Sequence, residues 1–235
     1  MAKLNILYED NHLIAVYKPA GLLVQGDKTG DPTLMDAVKE YLKKEYKKPG
    51  NVFLGLVHRL DRPVSGIVLF AKTSKGASRI SEQFRNREVT KIYTAVVVGE
   101  FEPRNGVLRD YLTKNEESKT AEVSENGKES ELYYETVKTN NKFSLLRLEP
   151  STGRFHQIRV QLSLVGHPIV GDLKYLPAGR QAEHSKGGSL KNHSIALCAT
   201  GLEFKTATTD EIKKIEVPYP QEWNSLFNKN SAKAE

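Results

Sequence analysis

Cysteine is almost missing from this chain: Cys198 is the only one in 235 residues. A disulfide within the chain is therefore impossible, and a cysteine-built zinc site has no basis. Long apolar runs are missing too. No window approaches the roughly 18 to 20 apolar residues that a membrane helix needs. Met1–Lys3 leads straight into a strand-like stretch, without the charged start and long apolar run of a secretory leader. These absences put the expected location in the cytoplasm, away from a membrane. A glycine-rich phosphate loop is also absent.

What is present is the composition of a soluble globular protein, with 38% hydrophobic and 27% charged residues. Thirty-five Lys and Arg against 29 Asp and Glu give a net charge of +6. That excess suits a polyanionic partner, although composition alone argues for one only weakly. The length suits one large domain or two small ones.

Leu4–Tyr8 and Leu13–Tyr17 are short apolar runs around Glu9-Asp10-Asn11-His12, the pattern of a β-hairpin. From Thr33 onward, Leu34, Ala37, Val38, Tyr41 and Leu42 recur at helical spacing, with Thr33 or Asp31 as cap. Val52–Val57 reads as a buried strand leading into His58, and Ile67–Ala71 as another. Ser74–Arg87 reads as a helix with Ala77, Ile80 and Phe84 on one stripe. Val89–Val98, rich in β-branched residues, is the strongest strand. Glu102–Lys128 reads as a loop or edge hairpin, and Leu132–Thr139 with Phe143–Leu148 as a hairpin about Asn140-Asn141. His156–Val165 fits either strand alternation or helical spacing. Thr152 as cap and Gly166 as stop favour the helix. Residues 177–191 are rich in Gly, Ser and charge and read as a mobile surface loop. Ile195–Phe204 and Ile212–Val217 return to strand, and residues 229–235 read as a disordered tail. Many strands with a few interspersed helices predict a single α+β domain over residues 1–235. Its central sheet is expected to be mixed and mostly antiparallel, with flanking helices and loops.

Three segments carry chemistry. In His58-Arg59-Leu60-Asp61-Arg62-Pro63-Val64-Ser65-Gly66, a carboxylate stands between two arginines on a loop joining two strands. Neighbouring cations favour its ionised form, which can act as nucleophile or base. A surface ion pair beside a proline turn would look the same. In Lys91-Ile92-Tyr93, positions 91 and 93 share one strand face. Tyr93 offers a ring for stacking on a base and a hydroxyl for proton transfer; a core tyrosine is the plainer reading. In Pro150-Ser151-Thr152-Gly153-Arg154-Phe155-His156-Gln157-Ile158-Arg159, Arg154 and the amides at a helix start suit a phosphate. Arg159, in the first turns, is placed to reach a carboxylate, or else lies exposed on the helix face.

Order and combination make these segments specific. The chain resembles the RluA-type family of RNA pseudouridine synthases. The likeness begins at Ile6-Leu7-Tyr8-Glu9-Asp10 and Val16-Tyr17-Lys18-Pro19-Ala20-Gly21. It runs through the three segments above, and closes with Gly166-His167-Pro168-Ile169-Val170-Gly171-Asp172 and Tyr175. It spans about Leu4 to Trp223.

The resemblance implies the roles. Asp61 matches the family's essential aspartate, and Arg159 the arginine that pairs with it. Tyr93 matches the tyrosine that contacts the target base, a candidate for taking the C5 proton. Arg59 matches the arginine that fills the space left by the flipped base. His58, Leu60 and Ile158 should shape the pocket, and Arg62, Arg154 and Lys91 should contact RNA. No cofactor or metal is expected, because the reaction involves no redox step or external group. The implied partner is structured RNA, either tRNA or ribosomal RNA, and the protein is expected to be a monomer. Val64 departs from a common Thr, and Cys198 stands where Leu-His-Ala often occurs. No RNA-binding module of the kind found in some relatives is expected ahead of the catalytic region. A silent RNA-binding protein and a glycosidase-like hydrolase are the competing classes. The first has no need of the acid, and the second usually needs a further carboxylate.

Overall fold

The computed structural model describes residues 4–176 and 194–228. The predicted loop at 177–191 and the tail at 229–235 lie outside the described residues. In chain order the elements are β1 (Ile6–Glu9), β2 (Leu13–Lys18), α1 (Leu34–Glu45), β3 (Gly55–Leu56), β4 (Ser65–Ala71) and α2 (Ser74–Arg85). They continue with β5 (Thr90–Val98), β6 (Asn105–Asn115), β7 (Thr120–Val123), β8 (Lys128–Thr139), β9 (Phe143–Pro150), α3 (Gln157–Leu164), β10 (Leu197–Lys205) and β11 (Ile212–Glu216). The class is α+β, with a mixed, mostly antiparallel sheet. Contacts gather the chain into two compact units: Met1–Thr90 with Ala199–Val217, and Lys91–Cys198 with Pro218–Glu235.

In the first unit β1, β2 and β4 lie side by side and antiparallel. Asp10 makes the β1–β2 turn: its Oδ1 accepts the amides of His12 and Leu13, both at 2.7 Å. This is the local alternative to ladder bonding that aspartate favours in turns. Thr33, rather than Asp31, caps α1. It forms a capping box with Asp36, a device worth about 1 kcal/mol. Thr73 caps α2 by accepting the Gly76 amide at 3.1 Å. Ile80 of the predicted stripe enters a core with Leu13, Ile67, Leu69 and Phe204. Every residue of β4 is buried, which explains its unbroken apolar string.

The expected strand at Val52–Val57 is shorter and less buried than its composition suggested. Only Gly55 and Leu56 pair with β4, and Phe53 is exposed. Gly55 interrupts the run; a Cβ there would lie 3.0 Å from the Ala77 Cβ. Gly66 is a stricter case. Its φ is +122°, and a Cβ would fall 2.3 Å from the Ala199 carbonyl oxygen on β10. Only glycine lets the end of the His58–Gly66 loop enter β4 so close to a neighbouring backbone.

In the second unit the strand order is β5-β9-β8-β6-β7. The polar stretch from Glu102 resolves into a long hairpin, β6 and β7, at the edge of that order. Asn140 makes the β8–β9 turn by accepting the amides of Lys142 and Phe143. The ambiguous segment is a helix, α3. Its residues Gln157 to Leu162 are all buried, so no polar face exposes the helical period and strand alternation fits equally well. Gly166, with φ +86°, ends it as expected. Thr152 is not its cap. The cap is His156, in the left-handed region at φ 50° and without a side-chain cap bond. The Thr152 hydroxyl donates instead to Gln157 Oε1 at 2.7 Å, because the intervening turn doubles back onto β8.

Candidate active site

The first unit presents the His58–Gly66 loop, tethered from two sides. His58 Nε2 accepts the Leu69 amide at 2.9 Å, so the neutral ring carries its proton on Nδ1. The same ring stacks on Phe84 of α2, with centroids 5.0 Å apart. From the other side comes Lys18, wholly buried at the end of β2. Its ammonium donates to the carbonyls of Pro19 (3.2 Å), Leu22 (2.8 Å) and Arg62 (3.0 Å). Burial brings this ammonium down to about 7, against the opposing pull of Asp61 and with help from Arg62.

Between these anchors Leu60 and Val64 are buried, and Asp61 is half-buried. The Asp61 carbonyl accepts the Val64 amide at 3.1 Å, closing the Pro63 turn. Arg59 points into solvent. Arg62 is exposed too but tethered: its Nε donates to the Gly21 carbonyl at 3.0 Å and its Nη2 meets Asp31 at 2.8 Å. The two arginines that flank Asp61 in sequence thus have different tasks. Arg59 is presented outward, while Arg62 fastens the loop to Gly21 and Asp31.

The second unit holds the other predicted residues. Lys91 and Tyr93 lie on β5, where Tyr93 pairs in register with Leu148 of β9. Lys91 Nζ donates to the Thr152 carbonyl at 2.9 Å. The Thr152–Gln157 turn is clipped to β8 at Glu131. Gln157 Nε2 donates to the Glu131 carbonyl at 3.0 Å, and the Glu131 amide donates to Thr152 Oγ1 at 3.2 Å. The Arg154 amide is taken by Gln157 Oε1 at 3.1 Å, and the Gln157 amide by the Arg154 carbonyl at 3.2 Å. These two amides therefore serve the turn.

Arg159 is buried, not displayed on the helix face, and its partner in this unit is Asp172. Nε and Nη2 donate to Oδ2 and Oδ1, both at 2.7 Å. Arg159 Nη1 lies 3.2 Å from His156 Nε2, and its guanidinium sits 5.1 Å from the centre of the Tyr175 ring. The Tyr175 hydroxyl accepts the Ala121 amide at 2.6 Å and bonds His156 Nδ1 at 2.7 Å. His156 also stacks on Phe155, with centroids 3.8 Å apart. These contacts hold a non-glycine residue in a backbone conformation that costs about 1 kcal/mol or more. Ile158, one residue before Arg159, is buried beside this group.

Asp172, Tyr175, Gln157 and Lys18 hold these segments through contacts for which residue-by-residue reading gave them no role. The available signal was a strongly polar residue embedded in an apolar run, as in Val16-Tyr17-Lys18 and Ile169-Val170-Gly171-Asp172. Buried polar groups of that kind are kept only with partners.

A family model described as RNA pseudouridylate synthase matches residues 12–164. Ribosomal large subunit pseudouridine synthase C of Vibrio parahaemolyticus is 34% identical over 213 residues, which covers 91% of this chain and 65% of that protein. The uncharacterized RNA pseudouridine synthase YhcT of Bacillus subtilis is 30% identical over 228 residues, 95% of this chain and 71% of that one. Among solved structures, human RNA Pseudouridylate Synthase Domain Containing 4 is similar with a TM-score of 0.78 at 25% identity. That likeness covers 95% of this chain and 91% of the human one. The chain spans 65% of the length of the Vibrio relative. The matched residues include both the His58–Gly66 loop and the start of α3, and the chain belongs to the RluA-type family of RNA pseudouridine synthases.

Proposed function

We propose that this protein isomerises selected uridines in structured RNA to pseudouridine, with Asp61 as the catalytic carboxylate. The observation that carries the reading is the doubly anchored His58–Gly66 loop. It holds one carboxylate half-buried, with His58 pinned to β4 on one side and the Arg62 carbonyl pinned by Lys18 on the other. A rigid scaffold under a reactive loop is what precise positioning requires.

The reaction balances without an external group. Ribose C1′ exchanges its bond to uracil N1 for one to C5, C5 loses a proton, and N1 gains one. A stacked base hides these atoms, so the uridine must leave the stack. Arg59, exposed on the loop, takes the vacated place with its planar guanidinium. Asp61 then attacks C1′ or removes the C2′ proton to give a glycal. Tyr93 lies against the uracil and serves the C5 proton. The family resemblance assigns Arg159 the counter-charge to the catalytic carboxylate. The resemblance likewise assigns His58, Leu60 and Ile158 to the pocket, and Arg62, Lys91 and Arg154 to the RNA-binding surface. The uracil anion must be kept from solvent between cleavage and rejoining.

Of the two RNA classes, the Vibrio relative's name favours large-subunit ribosomal RNA over tRNA. The protein would act in the cytoplasm as a monomer, with residues 1–235 serving as one catalytic domain. The test is to incubate it with transcripts of both RNAs and map carbodiimide adducts, since uridine and pseudouridine have equal mass. New adducts at discrete uridines support the reading. Release of free uracil would make the protein a hydrolase, and unaltered transcripts would contradict the proposal.

A further inference from the structure

We propose that a basic cleft in the second unit seats the sugar–phosphate backbone of a nucleotide flanking the target uridine. The proposal rests on the RNA-modifying function above and adds a subsite to it. The cleft measures about 320 Å³ and is lined by Leu112, Lys114, Lys128, Gly153, Arg154 and Phe155, among others. That volume is at the small end for ligand sites and suits a single nucleotide unit.

Its floor is rigid. Phe155 packs against the cluster of Leu112, Ala121, Val160 and Tyr175, and stacks on His156. Its rim is cationic. Lys128 is exposed. Arg154 donates from Nε to the Glu129 carbonyl at 3.0 Å. That bond fixes the guanidinium plane, and the two Nη groups remain as donors for a phosphate. The Lys114 ammonium lies 5.3 Å from the Phe155 ring centre and is held by Glu116 at 2.7 Å. Glu116 is 70% exposed, so this pair is worth little and yields readily to a phosphate. The wall at Gly153 is open: a Cβ there would meet only Lys91 Nζ, at 3.9 Å. Three cations over an aromatic floor select an anionic chain with a planar or sugar face, which is the chemistry of RNA. The cleft also adjoins the Arg159 cluster within the unit, because Phe155 stacks on His156 and His156 contacts Arg159.

The probe is a fluorescein-labelled uridylate dodecamer, titrated by anisotropy across a series of potassium chloride concentrations. Lys128→Ala and Arg154→Ala should each weaken binding roughly fivefold near physiological salt. Each should also flatten the slope of log affinity against log salt by about 0.7, one phosphate contact. Lys75→Ala, an exposed charge on α2 of the first unit, should change neither. Lys128 lies at an exposed strand position, so its variant keeps the test valid if Arg154→Ala fails to fold. Cleft variants that bind like Lys75→Ala would overturn the subsite, and so would a loss of affinity with an unchanged salt slope. The outcome is separable from the parent reading. Conversion of uridine by the unaltered protein alongside normal affinity in the cleft variants sinks the subsite alone. Lost affinity in the variants of a protein that converts no uridine sinks the catalytic reading alone.

Discussion

Arg159 and Asp172 form a two-bonded ion pair inside the second unit, with both contacts at 2.7 Å and side chains only 6% and 1% exposed. A pair this deep is poor evidence of net stabilisation, but removing one member takes two buried, charge-assisted hydrogen bonds from the other. Asp172→Ala should therefore cost about 3–5 kcal/mol in urea unfolding. Arg159→Lys should also be damaging, because an ammonium cannot reproduce the planar two-bond geometry. A loss below about 1 kcal/mol for Asp172→Ala would contradict the account of how Arg159 is held.

Tyr93 tests the division between binding and chemistry. Tyr93→Phe keeps the ring and removes the hydroxyl. Affinity for RNA should stay within about twofold, while the single-turnover rate of pseudouridine formation should fall by about a hundredfold or more. Equal losses in affinity and rate would mean that the hydroxyl serves docking, not proton transfer.

Lys18 gives a pH signature. In the folded protein its ammonium gives up a proton near pH 7, whereas an unperturbed lysine does so near 10.5. Between those values the unfolded chain binds more protons, so this lysine's contribution to stability grows as pH rises and is smallest below 7. Lys18→Met should remove that gain, making the rise in unfolding free energy from pH 7.5 to 9.5 smaller than in the unaltered protein. It should also destabilise at every pH, by about 1–3 kcal/mol, because buried carbonyl acceptors lose their donor. Parallel stability curves for the two proteins would refute the assignment.

What could be read from the sequence was what local chemistry decides. The Asp10 turn, the Thr33 cap and the Ile80 stripe all depend on residues within a few places of one another. The sequence also marked Asp61, Tyr93 and Arg159 as candidates. It did not disclose their supports. Asp172 reaches Arg159 because residues 168–170 run beside β5, with Val98 donating to the Pro168 carbonyl and Val170 to the Val96 carbonyl. Lys18 reaches Arg62 across 44 positions. Thr152 looked like a helix cap because a hydroxyl before a helical pattern usually is one. Here buried Gln157 competes for that hydroxyl and wins. Contacts set by strand order, not by spacing, were the ones out of reach.

Asp61→Asn tests the central claim most directly. The amide keeps the size and shape of the side chain but can neither attack C1′ nor take the C2′ proton. Adduct mapping on large-subunit ribosomal RNA transcripts, under single-turnover conditions, measures the consequence. The account predicts a rate reduced about a thousandfold or more, with RNA affinity within about twofold and an unaltered melting profile. Turnover within about tenfold of the unaltered protein would show that Asp61 is not the catalytic carboxylate.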